Sequence, residues 1–177
     1  MIVFADESGL SQRPPFRQTW APRGQTPIIT HSFSWQKLSM NAALVYRWDG
    51  KPVNLYFEII PGSYDQYRLV DFIDSLRCEL RNRPMILVWD GLPAHKTNIV
   101  KTYLEEYPNI AVVPLPPYAP NLNPTEFLWA NVKGRELANY VPDGLGDLCR
   151  RACSGIKRVY KRSSLLEGFV RAAGLSF

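Results

Sequence analysis

The chain has 177 residues, of which 46% are hydrophobic, and a formal net charge of +5 at pH 7. This length is typical of one globular domain with its own core, and the hydrophobic fraction excludes a disordered chain. The mild excess of lysine and arginine is compatible with a polyanionic partner but does not require one.

The N-terminal stretch and the cysteines predict a cytoplasmic protein. The segment MIVFADES lacks the basic region and apolar run of a signal peptide. No apolar run reaches the length of about 18 residues that a membrane span requires. The three cysteines form neither a CxxC pair nor a zinc-binding pattern, which is typical of a reducing compartment.

The first half of the chain predicts strands followed by one helix. In chain order, the elements are a strand over 1–7, an irregular loop over 8–34, strands over 38–48 and 52–60, and a helix over 65–81. The first strand alternates so that Ile2 and Asp6 share one side. The loop is rich in Ser, Gln, Pro and Arg, with a short strand predicted near Ile28. Asp49 and Gly50 form a hairpin turn signal between the next two strands.

The second half of the chain alternates strands and helices and then becomes entirely helical. The predicted elements are strands over 84–90 and 110–115 and helices over 96–106, 124–140, 144–161 and 164–173. Antiparallel strands followed by parallel crossovers predict a mixed α/β sheet with helices on both faces. No segment has the composition of a linker, so we expect residues 1–177 to form a single domain.

Three acidic residues fall where such a sheet places a functional site. Asp6 lies on the first strand, Asp90 ends a later apolar strand, and Glu126 lies on the first turn of a helix. A carboxylate in or at the end of an apolar strand is costly unless it is paired or bound to a cation. If the first strand is central, the three meet and offer oxygen ligands for Mg²⁺ and two-ion phosphodiester cleavage. Glu7 should point to the other side of its strand and is left out.

Each carboxylate also has a purely structural interpretation. In this interpretation Asp6 caps the loop after its strand. Asp90 belongs to an Asp-Gly turn like the turn in the first of the two WDG tripeptides. Glu126 completes a capping box with Asn123. Capping and metal binding do not exclude each other, because the cap itself fixes where Glu126 points.

Three segments carry these acidic residues: DES at 6–8, WDGLPAHK at 89–96 and YAPNLNPTEFLWANVK at 118–133. They resemble the signatures of the DDE transposases of the mariner superfamily, in its bacterial insertion-sequence branch. The resemblance implies a ribonuclease H-like fold in which Asp6, Asp90 and Glu126 bind two Mg²⁺ or Mn²⁺ ions. It also implies hydrolysis of DNA at the ends of a mobile element, followed by attack of the freed 3′-hydroxyl on target DNA.

The resemblance also implies partners. Members of this superfamily usually carry an N-terminal helix-turn-helix region that recognises the element's ends, whereas Met1 stands directly on the first catalytic strand here. We therefore expect no such domain in residues 1–177. The part that recognises the element's ends is then expected to be separately encoded, cut away or lost. Processing two ends requires two active sites, so a homodimer on the DNA of the bacterial nucleoid is expected.

Eight residues are candidates for binding DNA phosphates. Lys133 lies near the helix face that carries Glu126, and His95 follows the second aspartate at the start of a helix. The other six lie in the segment RRACSGIKRVYKR: Arg150, Arg151, Lys157, Arg158, Lys161 and Arg162. The alternative for the six residues is a solvated basic face. The alternatives for Lys133 and His95 are a solvated lysine and a histidine that only starts a helix. Trp129 is expected in the core and not as a platform for a base.

Three functions remain open at this stage. The leading hypothesis is a DNA-cutting and strand-transfer domain. The second is a ribonuclease H-like nuclease for RNA–DNA hybrids or branched DNA, which cleaves without joining. The third is a non-catalytic DNA-binding remnant of a transposase, against which the three intact carboxylates argue.

Overall fold

The protein is described by a computed structural model that covers residues 1–31 and 34–176. Its strands are β1 (Ile2–Ser11), β2 (Lys37–Tyr46), β3 (Pro52–Pro61), β4 (Met85–Trp89) and β5 (Ile110–Pro114). Its helices are α1 (Gln66–Glu79), α2 (Asn98–Glu106), α3 (Pro124–Arg135), α4 (Leu145–Tyr160) and α5 (Ser163–Ala172). The strands form one mixed sheet in the order β3-β2-β1-β4-β5.

β1 is the central strand, which is the condition under which the three acidic residues are expected to meet. It pairs antiparallel with β2 along its whole length, from Ile2 opposite Tyr46 to Ser11 opposite Lys37. On its other side it pairs in parallel with β4 over three residues only, ending at Phe4. Beyond that point the two strands part, so the segment of β1 that carries Asp6 borders a gap at the carboxyl ends of the parallel strands. Such a gap is the usual place for a functional site in an open α/β sheet.

The hairpin between β2 and β3 forms at the predicted Asp49-Gly50 turn. Gly50 adopts a φ of 76°, a left-handed conformation that glycine tolerates without steric strain. Its N–H donates to the carbonyl of Arg47 at 3.0 Å, and the N–H of Arg47 donates to the carbonyl of Lys51 at 2.9 Å. This turn fixes how β3 pairs with β2, the strand on which β1 is aligned.

Two hydrophobic cores lie on opposite faces of the sheet because side chains alternate along β1. Val3 and Ala5 pack with α1 and α2, whereas Phe4 packs with α3, α4 and α5. The predicted apolar stripe of α1 is buried throughout: Leu69, Phe72, Ile73, Leu76 and Leu80. Helices on both faces confirm the predicted fold class. No helix within the described residues is long and apolar enough to cross a membrane.

The local structure departs from the predictions at several points. β1 continues to Ser11, because β2 offers it hydrogen-bonding partners over all ten residues. No strand forms near Ile28, which is 88% exposed and has no sheet edge to join in the described loop. The helix predicted over 96–106 begins at Asn98, after a short 3₁₀ turn over Pro93–Lys96.

The helix predicted over 124–140 ends at Arg135, and its end is set by a tertiary contact. Asn139 has a left-handed φ of 56° and binds the long loop after β1. Its backbone N–H donates to the carbonyl of Pro15 at 3.0 Å. Its side chain accepts from the N–H of Arg17 at 2.9 Å and donates to the carbonyl of Arg17 at 2.8 Å. These bonds replace the last helical turn that sequence spacing predicts.

Candidate metal centre

A cavity of about 840 Å³ opens in the gap between β1 and β4. Its wall is formed by the middle of β1, the segments that follow β4 and β5, and the start of α3. Asp6, Asp90 and Glu126 all line it, together with Lys96. Folding therefore brings three carboxylates from distant parts of the sequence to one cavity.

Asp6 is buried and accepts a hydrogen bond from a side chain of the core. The residue is 8% exposed, and the indole Nε1 of Trp129 donates a hydrogen bond to its Oδ2 at 2.8 Å. Trp129 is 2% exposed and lies in the core, as predicted. Its bond to Asp6 was not predicted, although a buried indole N–H usually finds an acceptor and Trp129 lies one helical turn after Glu126.

The environment of Asp6 favours a bound cation. Burial, followed by the charge of Glu126, raises the pKa of the Asp6 carboxyl to about 7, against the opposing effect of the Trp129 hydrogen bond. A divalent cation would remove this penalty, because it stabilises the ionised carboxylate. The donors around the cavity are carboxylate oxygens, which are the ligands that Mg²⁺ and Mn²⁺ prefer. The residues present therefore fit such ions.

The start of α3 is anchored to the part of β1 that precedes Asp6. Thr125 donates from its hydroxyl to the carbonyl of Phe4 at 2.9 Å. Asn123 donates from its side-chain amide to the carbonyl of Ala5 at 3.4 Å. Both carbonyls lie where β1 separates from β4. The first turn of α3, with Glu126, is thereby fixed beside Asp6.

Asn123 caps α3 as predicted, but the reciprocal half of the capping box is not formed. The side chain of Asn123 accepts from the N–H of Thr125 at 3.1 Å. The backbone N–H of Asn123 donates to the carbonyl of Pro120 at 2.9 Å. The exposed side chain of Glu126 is therefore left to the cavity that it lines.

Asp90 lies just beyond the end of β4 and is anchored through one oxygen. Its Oδ1 accepts from the backbone N–H of Leu92 at 3.1 Å and lies 3.0 Å from Nδ1 of His95. Burial by itself would raise the pKa of the Asp90 carboxyl, but the bonds from His95 and Leu92 outweigh it and lower that pKa. Asp90 is therefore ionised at neutral pH.

His95 is a buried cation between two carboxylates. Its side chain is 2% exposed, and its Nε2 lies 3.3 Å from Oε1 of Glu7. Burial by itself would lower the pKa of His95, but hydrogen bonds to Asp90 and Glu7 raise it to about 10. Each ring nitrogen thus faces a carboxylate oxygen, Nδ1 that of Asp90 and Nε2 that of Glu7.

Glu7 belongs to this site, which sequence reasoning missed. It lies on the opposite side of β1 from Asp6, as predicted, but reaches Asp90 through His95. Ligand atoms of Glu7, Asp90 and His95 lie within 4.8 Å of one another. Within the described residues, that close spacing is not found among Asp6, Asp90 and Glu126, which stand further apart around the cavity. The only sequence signal for this group is a histidine five residues after Asp90.

Lys133 lies near the acidic cavity. It is half-buried, and its Nζ donates to the hydroxyl of Ser8 at 2.7 Å. Burial lowers the pKa of Lys133, against the opposing charges of Glu126 and Asp6. Helical spacing predicted this proximity to Glu126, whereas the bond to Ser8 depends on how α3 packs on β1.

Four of the six predicted basic residues lie in α4, and Lys161 and Arg162 directly follow its end. Arg158 and Arg151 contact α3 and its end, where Arg158 Nε donates to Oε1 of Glu136 at 2.6 Å and Arg151 Nε donates to the carbonyl of Glu136 at 3.0 Å. A second, open cavity of about 720 Å³ is lined by Arg150, Cys153, Ser154, Lys157, Arg158, Lys161 and Arg162. Arg150 also pairs with Asp147 at 3.3 Å. Positive charge is thus concentrated along one side of α4.

The strand order, the helices on both faces and the acidic cavity beside the central strand define a ribonuclease H-like fold. A family model described as DDE superfamily endonuclease matches residues 1–144. The chain therefore belongs to the DDE superfamily of endonucleases. Among curated proteins, no relative matches it by sequence.

Solved structures of the Mos1 transposase share this fold. The Mos1 strand transfer complex aligns with a TM-score of 0.62 and 21% identity, covering 99% of this chain and 55% of the Mos1 chain. The Mos1 mariner paired end complex with Mn gives 0.61 and 21%, covering 99% and 56%. The catalytic domain of Mos1 mariner transposase gives 0.55 and 20%, covering 99% and 83%. This chain therefore spans little more than half of the Mos1 chains in the two complexes.

Proposed function

We propose that this chain is the catalytic domain of a transposase of the mariner superfamily, in its bacterial insertion-sequence branch. It cleaves DNA at the ends of a mobile element in a metal-dependent reaction and joins the freed 3′-hydroxyl to target DNA. The observation that carries the proposal is the cavity lined by Asp6, Asp90 and Glu126 in a member of the DDE superfamily. Likeness of fold to the Mos1 strand transfer complex supports the joining step.

Asp6, Asp90 and Glu126 are the residues that would hold two Mg²⁺ or Mn²⁺ ions. Bound there, such a pair activates the attacking oxygen and stabilises the leaving one. The protein's own part is orientation, because Trp129 binds one oxygen of Asp6 and His95 binds one oxygen of Asp90. Lys133 adds a positive charge near Asp6 and Glu126.

The reaction needs no nucleophilic side chain. In cleavage, the oxygen of water bonds to phosphorus and gives up a proton. The bond from phosphorus to the 3′-oxygen breaks, and that oxygen takes up a proton and leaves as a 3′-hydroxyl. In joining, the 3′-hydroxyl oxygen bonds to a phosphorus of the target and gives up its proton. The target's own 3′-oxygen leaves and takes up a proton, so bonds and protons balance in both steps.

The proposal is tested with DNA from both ends of the element that encodes the chain, in the presence of Mg²⁺ or Mn²⁺. Nicks at the ends together with products joined to a target plasmid support it. Cleavage of RNA–DNA hybrids or branched DNA without any joined product supports the nuclease alternative instead. DNA binding without cleavage in either metal supports the non-catalytic alternative.

The proposed assembly follows from the need to process two ends. In this proposal residues 1–177 supply a single catalytic domain, and a homodimer forms on the paired ends in the bacterial nucleoid. A helix-turn-helix part is proposed to recognise the end sequence. A separately encoded chain of that kind is included in the assay above when the element encodes one.

The basic side of α4 is proposed to follow the DNA phosphate backbone. Lys157, Lys161 and Arg162 line the cavity of about 720 Å³, whose described wall includes no acidic residue. Arg158 shares that wall, but its ion pair with Glu136 ties it to α3. His95 and Lys133 remain predicted phosphate ligands, and each would first have to release the partner that it binds, Glu7 or Asp90 for His95 and Ser8 for Lys133.

Reversing the charge of both Lys161 and Arg162, as Lys161→Glu and Arg162→Glu, is expected to weaken DNA binding to a similar degree for every DNA sequence. Each lost phosphate contact lowers the slope of log K against log salt by about one, so the double variant should lower it by about two. Fluorescence anisotropy over a range of salt concentrations measures both quantities.

The matched control reverses two exposed basic residues on the opposite side of the molecule, Arg83→Glu and Lys101→Glu. Both double variants change the net charge equally. If they weaken binding equally, the effect comes from net charge alone and the proposed track along α4 is wrong.

A further inference from the structure

We infer that Glu7 and His95 form a positioning pair that holds the Asp90 carboxylate in the direction required for metal binding. The inference rests on the proposed function and deepens it. Neither residue is among the three proposed metal ligands, and both lie behind the cavity, on the far side of β1 from Asp6.

The contact between His95 and Asp90 selects one carboxylate oxygen. His95 Nδ1 lies 3.0 Å from Oδ1 of Asp90 and 3.0 Å from the backbone carbonyl oxygen of the same residue. The N–H of Leu92 donates to the same Oδ1 at 3.1 Å. Because both donors bind Oδ1, the carboxylate cannot rotate freely, and Oδ2 is the oxygen available to a cation.

His95 is itself fixed by contacts on its other edge and on its ring face. Its Nε2 lies 3.3 Å from Oε1 of Glu7, and the side-chain amide of Asn41 donates to that same oxygen at 3.2 Å. The imidazole stacks on Trp89, with ring centroids 4.0 Å apart and planes only 4° from parallel. The ring is therefore held at both nitrogens and across one face.

The pairing of β1 with β2 sets the position of Glu7. Glu7 lies directly opposite Asn41 in the antiparallel ladder, which orients its side chain toward His95. Asp6 and Glu7, which are adjacent in β1, thus contribute to the site from opposite faces of the sheet. Asp6 lines the cavity, and Glu7 contacts His95.

The other oxygen of Glu7, Oε2, is buried without a hydrogen-bond partner in the described structure. Leaving a buried polar atom unpaired costs free energy, so stability alone does not favour a carboxylate at this position. The contact with His95 instead explains why a carboxylate stands here.

Glu7, Asp90 and His95 are also close enough to be considered as a metal site in their own right. The hydrogen bonds argue against this interpretation. Both nitrogens of His95 already face carboxylate oxygens. A cation bound among these three residues would have to displace both hydrogen bonds of His95. The pair therefore supports the neighbouring cavity and is not proposed as a second centre.

The test is Mn²⁺ binding to the purified protein without DNA, followed by electron paramagnetic resonance. Glu7→Leu removes the acceptor of His95 and is expected to raise the Kd for Mn²⁺ about tenfold, as outer partners of metal ligands typically do. Glu7→Gln keeps an acceptor oxygen for Asn41 and His95, and its Kd should stay within about threefold of the wild-type value.

Glu58→Leu is the matched control. Glu58 lies opposite Asn41 on the next strand, on the same face of the sheet, and its carboxylate accepts from Tyr56 at 2.6 Å. It should leave the Kd for Mn²⁺ unchanged.

His95→Asn provides a second way to break the same link. Its shorter side chain cannot reach both carboxylates, so it should raise the Kd for Mn²⁺ as much as Glu7→Leu does. The double variant should bind Mn²⁺ no more weakly than either single variant, because the two residues act as one unit. Fully additive effects would overturn the pairing, even if Glu7→Leu folds poorly on its own.

A merely structural role gives a different pattern. In that case Glu7→Leu lowers the Tm but leaves the Kd for Mn²⁺ unchanged at temperatures well below the Tm, and the inference fails. Asp90→Asn separates this failure from that of the proposed function. If Asp90→Asn abolishes Mn²⁺ binding while Glu7→Leu leaves the Kd for Mn²⁺ unchanged, the metal site stands without the pair. If neither variant affects Mn²⁺ binding, the proposed metal site itself is wrong.

Discussion

Asp90→Asn is expected to reduce metal-dependent nicking of element-end DNA by about a thousandfold or more. Metal ions of this kind stabilise the transition state by several kcal/mol, and a loss of about 4 kcal/mol corresponds to a factor of about 10³ in rate. Asparagine keeps the oxygen that accepts from Leu92 and His95, so the variant should fold. The rate is measured on supercoiled plasmid carrying the ends, in Mg²⁺ and in Mn²⁺.

The chain contains its own control for this substitution. The tripeptide WDG occurs at 48–50 as well as at 89–91. Asp49 lies in the β2–β3 turn, where it pairs with Arg47 at 3.1 Å, and does not line the acidic cavity. Asp49→Asn should therefore nick at the wild-type rate. Equal activity of Asp90→Asn and Asp49→Asn would contradict the catalytic assignment.

Asp6→Asn is expected to stabilise the metal-free protein at pH 8. Aspartate has an ordinary pKa of 3.8, whereas burial and Glu126 raise the pKa of Asp6 to about 7 in the folded protein. Below about pH 4 the carboxyl is protonated in both states and carries no penalty. As the pH rises toward 7, the folded state retains a proton that the unfolded state releases, so wild-type stability falls.

The size of this effect follows from the same pKa difference. The step from 3.8 to about 7 corresponds to at most about 4 kcal/mol. If asparagine recovers about half of it, the Tm at pH 8 should rise by roughly 4–8 °C in a domain of this size. Asparagine can still accept from Trp129, so that contact is retained.

Thermal unfolding in EDTA at pH 5 and pH 8 measures the effect, and Mn²⁺ reverses its sign. The gain from Asp6→Asn should be smaller at pH 5, where folded Asp6 is protonated. In saturating Mn²⁺ the wild-type protein should be the more stable, because binding to the folded state adds to its stability. A gain that is the same at both pH values, or a variant that Mn²⁺ stabilises as strongly as the wild type, would contradict this account of Asp6.

Much of the fold could be predicted because each element carries a local pattern. The alternation of β1 separates Asp6 from Val3 and Ala5, and the apolar spacing of α1 identifies its buried face. The errors lie where tertiary contacts override local preference. Ser8 to Ser11 form a strand because β2 pairs with them, and α3 ends early because Asn139 binds the loop at Arg17.

The same distinction applies to the candidate site. The meeting of Asp6, Asp90 and Glu126 at one cavity could be predicted because Asp6 and Asp90 lie in or just after apolar strands and Glu126 on the first turn of a helix. The link from Glu7 through His95 depends on two segments far apart in sequence, and no local pattern contains it. The contacts of Arg158 with Glu136 and Asn131 also join two separate segments. Spacing along α4 alone therefore could not distinguish Arg158 from Lys161 and Arg162.

The most direct test of the account is a crystal structure of the chain grown with Mn²⁺, in which anomalous scattering locates the ions. The account predicts two peaks about 3.5–4 Å apart, both bound by oxygens from among Asp6, Asp90 and Glu126. It is contradicted if saturating Mn²⁺ leaves that cavity without a peak, or if the ion binds His95 and Glu7 instead.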